Sequence, residues 1–366
     1  MTSAELEAEL GLPSGHYERA VGVARRHRVT TETASQLGAR ALARALADVN
    51  LDLDDVDVLV AASATMDFVV PNRASSILAE LAPGYPCDIA CVDVDATCIS
   101  FLAALHHAAL LLATGGARRV AIVSAEISRY GLDPGDPEPY GLFGDGAAAA
   151  VVSRCPDRSA GLLRYRTRTY PAGHDLCVVR GGGNAFPPRH FAYSPELYGF
   201  HMAGRRLLRL VADRLPGFLR DYGLAAPRYG AQPRRPARRV LAEAESVGAR
   251  GFAAVRDDRR APRRGRPTTT CPRSAMPGAD DTPRALTDLL VPHQTSALGL
   301  RLLARALGPE APPMVDTLAR TGNCVAASVP LALDHAIRSG RLQRGEVCTL
   351  LGSAAGLSFG ALTFRY

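Results

Sequence analysis

The feature that most constrains this chain is a repeated switch between strand-like and helix-like apolar runs, present in both its first and last thirds. Val56–Ala64, Cys91–Thr97 and Arg119–Ala125 are of strand length and rich in β-branched residues, while Ser75–Leu81 and the long run opening at Ile99–Leu105 carry helical spacing. Leu289–Val291, Thr295–Leu307, Ala326–Ser339, Val347–Leu351 and Leu357–Tyr366 repeat the alternation near the C-terminus. Such alternation predicts an α/β fold built in layers, and 366 residues exceed what one core usually organises, so two intimately packed halves are expected. Gly144-Asp145-Gly146 reads as a turn leading into a strand of small residues suited to close packing of layers.

Between Ala226 and Leu286 the pattern breaks. Fourteen arginines there face six acids, a local +8 that leaves the remainder at −1 although the whole chain carries +7. Only Tyr229 and Phe252 could stack on bases, so the segment reads as a disordered Arg/Pro-rich insertion or the product of a local frameshift, and nucleic-acid binding is disfavoured. The expected organisation is therefore 1–155, a half carrying a cysteine nucleophile; 156–225, a connecting segment and helix; 226–286, the insertion; and 287–366, a second half.

Composition excludes some chemistry. All 43 basic residues are arginine, so no Schiff-base or Walker-type lysine is available. The eight cysteines are scattered, with neither a signal peptide nor zinc-ligand spacing around them, and imply no disulfide framework and no metal. No apolar run is expected to reach membrane-spanning length without interruption by charge, and a soluble cytoplasmic protein is expected.

Three polar residues fall where strands or loops give way to helices. Cys98 lies between the Cys91–Thr97 strand and an apolar helix, where the positive end of the helix favours thiolate over thiol. His293 ends a strand in Leu-Leu-Val-Pro-His-Gln, and Asn323 precedes a helix in Thr-Gly-Asn-Cys-Val-Ala-Ala-Ser. Taken singly, each is more often a packed thiol, a satisfied histidine or a helix cap. Their common placement could bring all three to one end of a sheet. Glu126 is the remaining acid of interest and reads as a buried structural carboxylate, while His106 and His107 read as packed or surface residues.

Together the strings Asp93–Cys98, Phe143–Ala147, Val291–Gln294, Gly322-Asn323 with Ala326–Pro330, and Gly352–Gly360 resemble the ketoacyl-ACP synthase III branch of the thiolase-like condensing enzymes. The resemblance implies a thiolase-like fold of two similar halves in an αβαβα arrangement. It implies a Cys98, His293, Asn323 triad: Cys98 accepts an acyl group from acyl-CoA, and His293 and Asn323 hold the enolate formed as malonyl-acyl carrier protein loses carbon dioxide. Backbone N–H groups of Cys98 and of the Ser353–Gly356 loop, chiefly Ala355 beside Gly356, would form the oxyanion hole.

The resemblance further implies a homodimer in which Phe68 and Val70 help close the partner's acyl pocket. It also implies a CoA contact near His16 and Arg19, although His16 replaces the tryptophan that relatives often carry. The family's first strand is expected to be missing ahead of Glu5-Leu6-Glu7. No cofactor is implied. Two alternatives stay open: an acyltransferase passing the Cys98-bound group to a hydroxyl or amine, and an inactive remnant.

Overall fold

In the inner strands of both sheets the alternation sends the two faces into different cores, and this sets the layer order. The computed structural model describes residues 1–225 and 287–366 apart from Tyr85, Cys87 and Arg158; the insertion expected at 226–286 lies outside the described residues. The helices are α1 (Ser3–Leu10), α2 (His16–Ala20), α3 (Ala34–Ala47), α4 (Arg73–Leu81), α5 (Ser100–Thr114), α6 (Pro137–Leu142), α7 (Pro195–Tyr198), α8 (Gly204–Tyr222), α9 (Ala297–Leu307), α10 (Leu318–Thr321) and α11 (Ser328–Arg338). The strands are β1 (Val58–Ala61), β2 (Ala90–Asp93), β3 (Arg119–Glu126), β4 (Gly146–Ser153), β5 (Gly161–Thr169), β6 (Cys177–Val178), β7 (His201–Met202), β8 (Leu289–Pro292), β9 (Val347–Ala354) and β10 (Ser358–Arg365).

One sheet runs β2-β1-β3-β4, parallel except for β4, and the other runs β5-β10-β9-β8, with β8 and β9 parallel and the remaining pairs antiparallel. Val58, Val60, Val120 and Ile122 point into a central core shared with Leu289, Val291, Leu350 and Leu362 of the second sheet, and α5 and α11 fill the space between the sheets. The alternate residues Leu59, Ala61, Ala121 and Val123 face outward onto α3 and α4. On the other side Leu290, Leu351, Phe359 and Ala361 face α8 and α9. The order is helix, sheet, helix, sheet, helix, so the layered α/β expectation holds.

Two expectations need correction. The strand expected at Cys91–Thr97 as a buried element is only Ala90–Asp93, and it is the sheet's edge, pairing with β1 alone and leaving Val92 exposed. Edge position is a matter of topology that local apolar content does not report. An apolar run of membrane-spanning length does exist: Thr97–Thr114 is 18 residues with a mean hydropathy of 1.6. It is apolar on nearly all sides because it is the central helix α5, with Phe101, Leu102, Ala104, Ala108 and Leu112 in the core between the sheets.

Candidate active site

The cysteine arrives at its position through a tight turn. After β2, Thr97 takes a left-handed φ of 50°, a strained conformation for a β-branched residue, and the turn is tied by Ser100 Oγ, which donates to the Thr97 carbonyl (2.6 Å) and accepts from the Ala96 N–H (2.9 Å). Helix α5 then begins at Ser100, with Ile99 as its cap. Ile99 drops into a slot between β9 and β10 that exists because Gly352 and Gly360, directly paired across the two strands, lack side chains: a Cβ on Gly352 would lie 2.6 Å from Ile99 Cγ2. This close approach brings Cys98 to the end of the second sheet, where Ala355 lines the same cavity and its N–H pulls the thiol pKa down.

His293 follows β8 directly and its N–H donates to the Leu351 carbonyl (2.7 Å). The neighbouring Gln294 is wholly buried and locks the turn, donating to the Pro292 (2.7 Å) and Val315 (3.2 Å) carbonyls and accepting from the Thr317 N–H (2.8 Å). Asn323 is placed by a crossing of two glycine loops. The Asn323 N–H donates to the Leu142 carbonyl (2.9 Å) and the Gly144 N–H donates to the Asn323 carbonyl (3.1 Å), so the Phe143-Gly144 and Gly322-Asn323 motifs form one bridge. A Cβ on Gly144 would lie 2.3 Å from the Thr321 carbonyl oxygen, and Gly322 holds a φ of 66° against the Leu142 carbonyl.

The two side chains meet. His293 Nε2 is 3.1 Å from Asn323 Oδ1, and His293 Nδ1 is 3.0 Å from the Ser353 carbonyl oxygen. Asn323 is oriented by the Val325 N–H (2.9 Å) and Ser328 Oγ (3.3 Å), both donating to Oδ1, while Nδ2 makes one long bond to the Thr295 carbonyl (3.3 Å). Burial lowers the His293 pKa, which favours the neutral ring. Both ring nitrogens face acceptors, so its single proton serves one of them at a time.

Cys98, His293 and Asn323 all line a cavity of about 530 Å³ whose walls are mostly apolar. The helical stripe Gly204, Leu207, Leu208, Val211 and Leu215 of α8 forms one wall, and Cys177, which no sequence motif marked, is another lining residue. Burial, with the Glu126 carboxylate and Cys177 adding to it, pushes the Cys98 thiol up to about 12, against the pull of the Ala355 and Cys98 N–H groups. The expectation of a resting thiolate is therefore corrected: desolvation outweighs the helix end, and Cys98 rests as a thiol.

Glu126 is buried as expected and receives four hydrogen bonds, from the Ala64 N–H (2.8 Å), the Thr65 N–H (2.8 Å), Thr65 Oγ1 (2.6 Å) and the Ala326 N–H (3.3 Å). It ties the wall after β1 to the turn that follows Asn323. Asp93 and Asp95 both pair with Arg73 (3.4 and 3.1 Å), whose Nε also donates to the Thr65 carbonyl (2.9 Å).

Arg19, Phe68 and Val70 are not among the cavity's lining residues. Arg19 turns back to donate to the Ser14 carbonyl (2.9 Å). Asp67 is pinned to the start of α3 by the Ala34 and Ser35 N–H groups, and the residues after it project outward, with Phe68, Val69 and Val70 at 59%, 83% and 82% exposure. Ala355 lines the cavity; Gly356, at a φ of 111°, makes the turn between β9 and β10 without lining it. Among the described residues no group of three His, Cys, Asp or Glu could hold a metal ion.

Comparison with known proteins decides the family. The description 3-oxoacyl-[acyl-carrier-protein] synthase III matches residues 92–171, and that of its C-terminal part matches 283–366. A beta-ketoacyl-[acyl-carrier-protein] synthase III of Streptomyces coelicolor is 30% identical over 371 residues, covering 100% of this chain and 93% of the relative. The chain belongs to the beta-ketoacyl-ACP synthase III family. A second member, from Desulfitobacterium hafniense, is 27% identical over 94% of this chain and 87% of its own. The crystal structure of the Pseudomonas aeruginosa synthase III superposes with a TM-score of 0.71 at 25% identity, over 100% of this chain and 93% of that one. The priming β-ketosynthase of the R1128 polyketide pathway shares the fold, with a TM-score of 0.74 at 23% identity, over 100% and 91% of the two chains. The chain is thus a condensing enzyme of the acyltransferase class with a thiolase-like fold.

Proposed function

We propose that Cys98 takes an acyl group from acyl-CoA and that the acyl-enzyme then condenses with malonyl-acyl carrier protein to give a 3-oxoacyl product. The observation that carries this reading is the convergence of Cys98, His293 and Asn323 on one apolar cavity that Ala355 also lines. In the first half-reaction the Cys98 sulfur forms a bond to the thioester carbonyl carbon while its proton leaves with the departing CoA sulfur. The N–H groups of Ala355 and Cys98 hold the oxyanion. In the second, malonyl carrier protein loses carbon dioxide, and the electron pair of the broken bond becomes an enolate. His293 Nε2–H and Asn323 Nδ2 donate to its oxygen, Nδ2 giving up its long resting bond to the Thr295 carbonyl. The enolate carbon attacks the acyl-Cys98 carbonyl, and the Cys98 sulfur leaves and regains a proton. Asn323 donates where an aspartate would repel, which favours condensation over simple acyl transfer.

An acidic carrier protein is the proposed partner, supported by the exposed Arg205, Arg206 and Arg209 on α8 and Arg301 and Arg305 on α9, the two helices whose leucines line the cavity. A second copy of this chain is the proposed cover for the apolar Phe68-Val69-Val70 tip and for Val92 on the edge strand, both otherwise left in water. Intact-protein mass spectrometry with acyl-CoA, comparing wild type with Cys98→Ala, tests the acylation step. Carbon dioxide release from malonyl carrier protein tests the condensation. No mass gain in the folded wild type, or an equal gain in Cys98→Ala, would overturn the reading.

A further inference from the structure

Arg26 is a buried charge that its own contribution to stability does not explain. It is 1% exposed, and among the described residues its side-chain hydrogen bonds run from Nη2 alone, to the Gly141 carbonyl (2.6 Å) and to Ser3 Oγ (2.9 Å). Both acceptors are neutral, Nε and Nη1 find no partner, and burial pushes the guanidinium down to about 10. The ring of Tyr17, 5.4 Å from Cζ, offsets only part of that cost. An apolar side chain of similar length would spare the fold the desolvation of a charge.

What Arg26 touches is the loop crossing that places Asn323. Its Cβ would lie 3.1 Å from a Cβ on Gly144 and 3.4 Å from one on Gly322, so both glycine loops close onto the same arginine stem. The head of the side chain holds the Gly141 carbonyl, one residue before the Leu142 carbonyl that accepts the Asn323 N–H. The backbone around Arg26 is bonded to both loops as well. The Ala24 and Arg25 N–H groups donate to the Ala319 carbonyl (3.0 Å each), and the His27 carbonyl accepts from the Asp145 N–H (2.9 Å). Cys98 shares none of these bonds, its place being set by the Thr97 turn and the Ile99 slot.

We infer that Arg26 is a positioning residue for Asn323, fixing through Gly141 and the two glycine loops the place from which the Asn323 amide meets the enolate; this rests on the condensation reading above. Without the guanidinium the 141–144 loop loses a charge-assisted tether, and Asn323, bonded to that loop through both its N–H and its carbonyl, moves with it. A displacement near 1 Å at a group that acts on the reacting atoms costs about 10²-fold in rate.

The test compares the two half-reactions in the same folded samples, with thermal melting identifying which samples are folded. In Arg26→Met the stem is kept and the donor removed. Carbon dioxide release from malonyl carrier protein should fall about tenfold or more, while single-turnover acylation of Cys98 by acyl-CoA stays within roughly threefold of wild type. Arg26→Lys, which keeps a charged donor for the Gly141 carbonyl, should recover most of the lost condensation. Ser3→Ala removes only the second acceptor of Nη2 and should lower the ratio of condensation to acylation by roughly threefold, which keeps the comparison open where Arg26→Met does not fold. Equal loss of both half-reactions in folded Arg26→Met, a lysine variant no better than the methionine one, or an unchanged ratio in Ser3→Ala would overturn the inference. A wild type that is acylated but releases no carbon dioxide would instead overturn the condensation reading on which it rests.

Discussion

Asn323→Asp separates the two half-reactions by changing one atom. The carboxylate keeps the bonds from the Val325 N–H and Ser328 Oγ that Oδ1 accepts now, so the loop crossing that places residue 323 is retained. Its second oxygen replaces Nδ2, the donor proposed for the enolate, and meets the Thr295 carbonyl oxygen, an acceptor, at the position of the present 3.3 Å bond. Removing one oxyanion donor costs about 3–4 kcal/mol, or 10²–10³ in rate, and a negative charge beside a developing enolate places the loss at the upper end. Carbon dioxide release from malonyl carrier protein should therefore fall roughly 10³-fold. Acylation of Cys98, whose oxyanion is held by the Ala355 and Cys98 N–H groups, should fall less than about tenfold, the donors there being untouched.

The same variant reverses the titration of His293. In the wild type burial lowers its pKa from 6.5, so the unfolded chain takes the proton first and stability declines as pH falls below about 6.5. A carboxylate at 3.1 Å from Nε2 raises the pKa instead, and the variant should hold its stability better on acidification. Single-turnover mass spectrometry measures acylation, trapped labelled carbon dioxide measures condensation, and urea melts at several pH values measure the linkage. Condensation within tenfold of wild type, or parallel loss of both half-reactions, would refute the division of labour between Ala355 and the His293–Asn323 pair.

Three further expectations follow from the geometry. With its thiol near 12, Cys98 is about 10⁻⁴ thiolate at pH 8. Allowing for the greater intrinsic reactivity of a more basic sulfur, iodoacetamide should modify it roughly 10²-fold more slowly than a free thiol, with a rate still rising between pH 8 and 10; a plateau below pH 8 would show a thiolate at rest. Glu126 is pushed up to about 7 by burial, against four donors that pull it down. A raised carboxyl contributes stability that is fully present below about 4.5 and lost as pH rises through about 7, on the order of 3 kcal/mol, so urea midpoints should fall across that window in the wild type and stay flatter in Glu126→Gln. Gly352→Ala places a Cβ 2.6 Å from Ile99 Cγ2 and should cost about 1–3 kcal/mol by overpacking. It should also slow acylation by moving Cys98 away from the Ala355 N–H, and unchanged acylation would show that the slot does not set the position of the sulfur.

Much of the site was legible because its geometry is built into short strings. Glycines at 144, 322 and 352 mark places where another chain segment comes too close for a Cβ, and each lies beside a residue of the site. The layers were legible from alternation: Val58 and Val60 against Leu59 and Ala61 divide between two cores as a period of two requires. The state of the thiol was not legible. A helix start is a local feature, whereas the burial of Cys98 depends on how the cavity closes around it, and that cavity draws lining from α8 and α9, more than a hundred residues away. The edge position of β2 and the convergence of Asp93 and Asp95 on Arg73 were hidden for the same reason, being products of which strand lies next to which.

The protonated thiol and the apolar cavity are two aspects of one arrangement. A pocket apolar enough to raise the sulfur to about 12 also offers few polar groups to hold water beside an acyl-Cys98 thioester while the carrier protein docks. The nucleophile needs its charge only while the acyl group is being transferred, when the Ala355 N–H lies beside the developing oxyanion. At the other edge of the cavity His293 and Asn323 are tied more firmly to the fold than to each other. Val325 and Ser328 hold one end of the amide, and the Ser353 carbonyl faces one side of the ring. Their 3.1 Å contact is therefore the one that an incoming thioester oxygen can replace without disturbing the loops that position them.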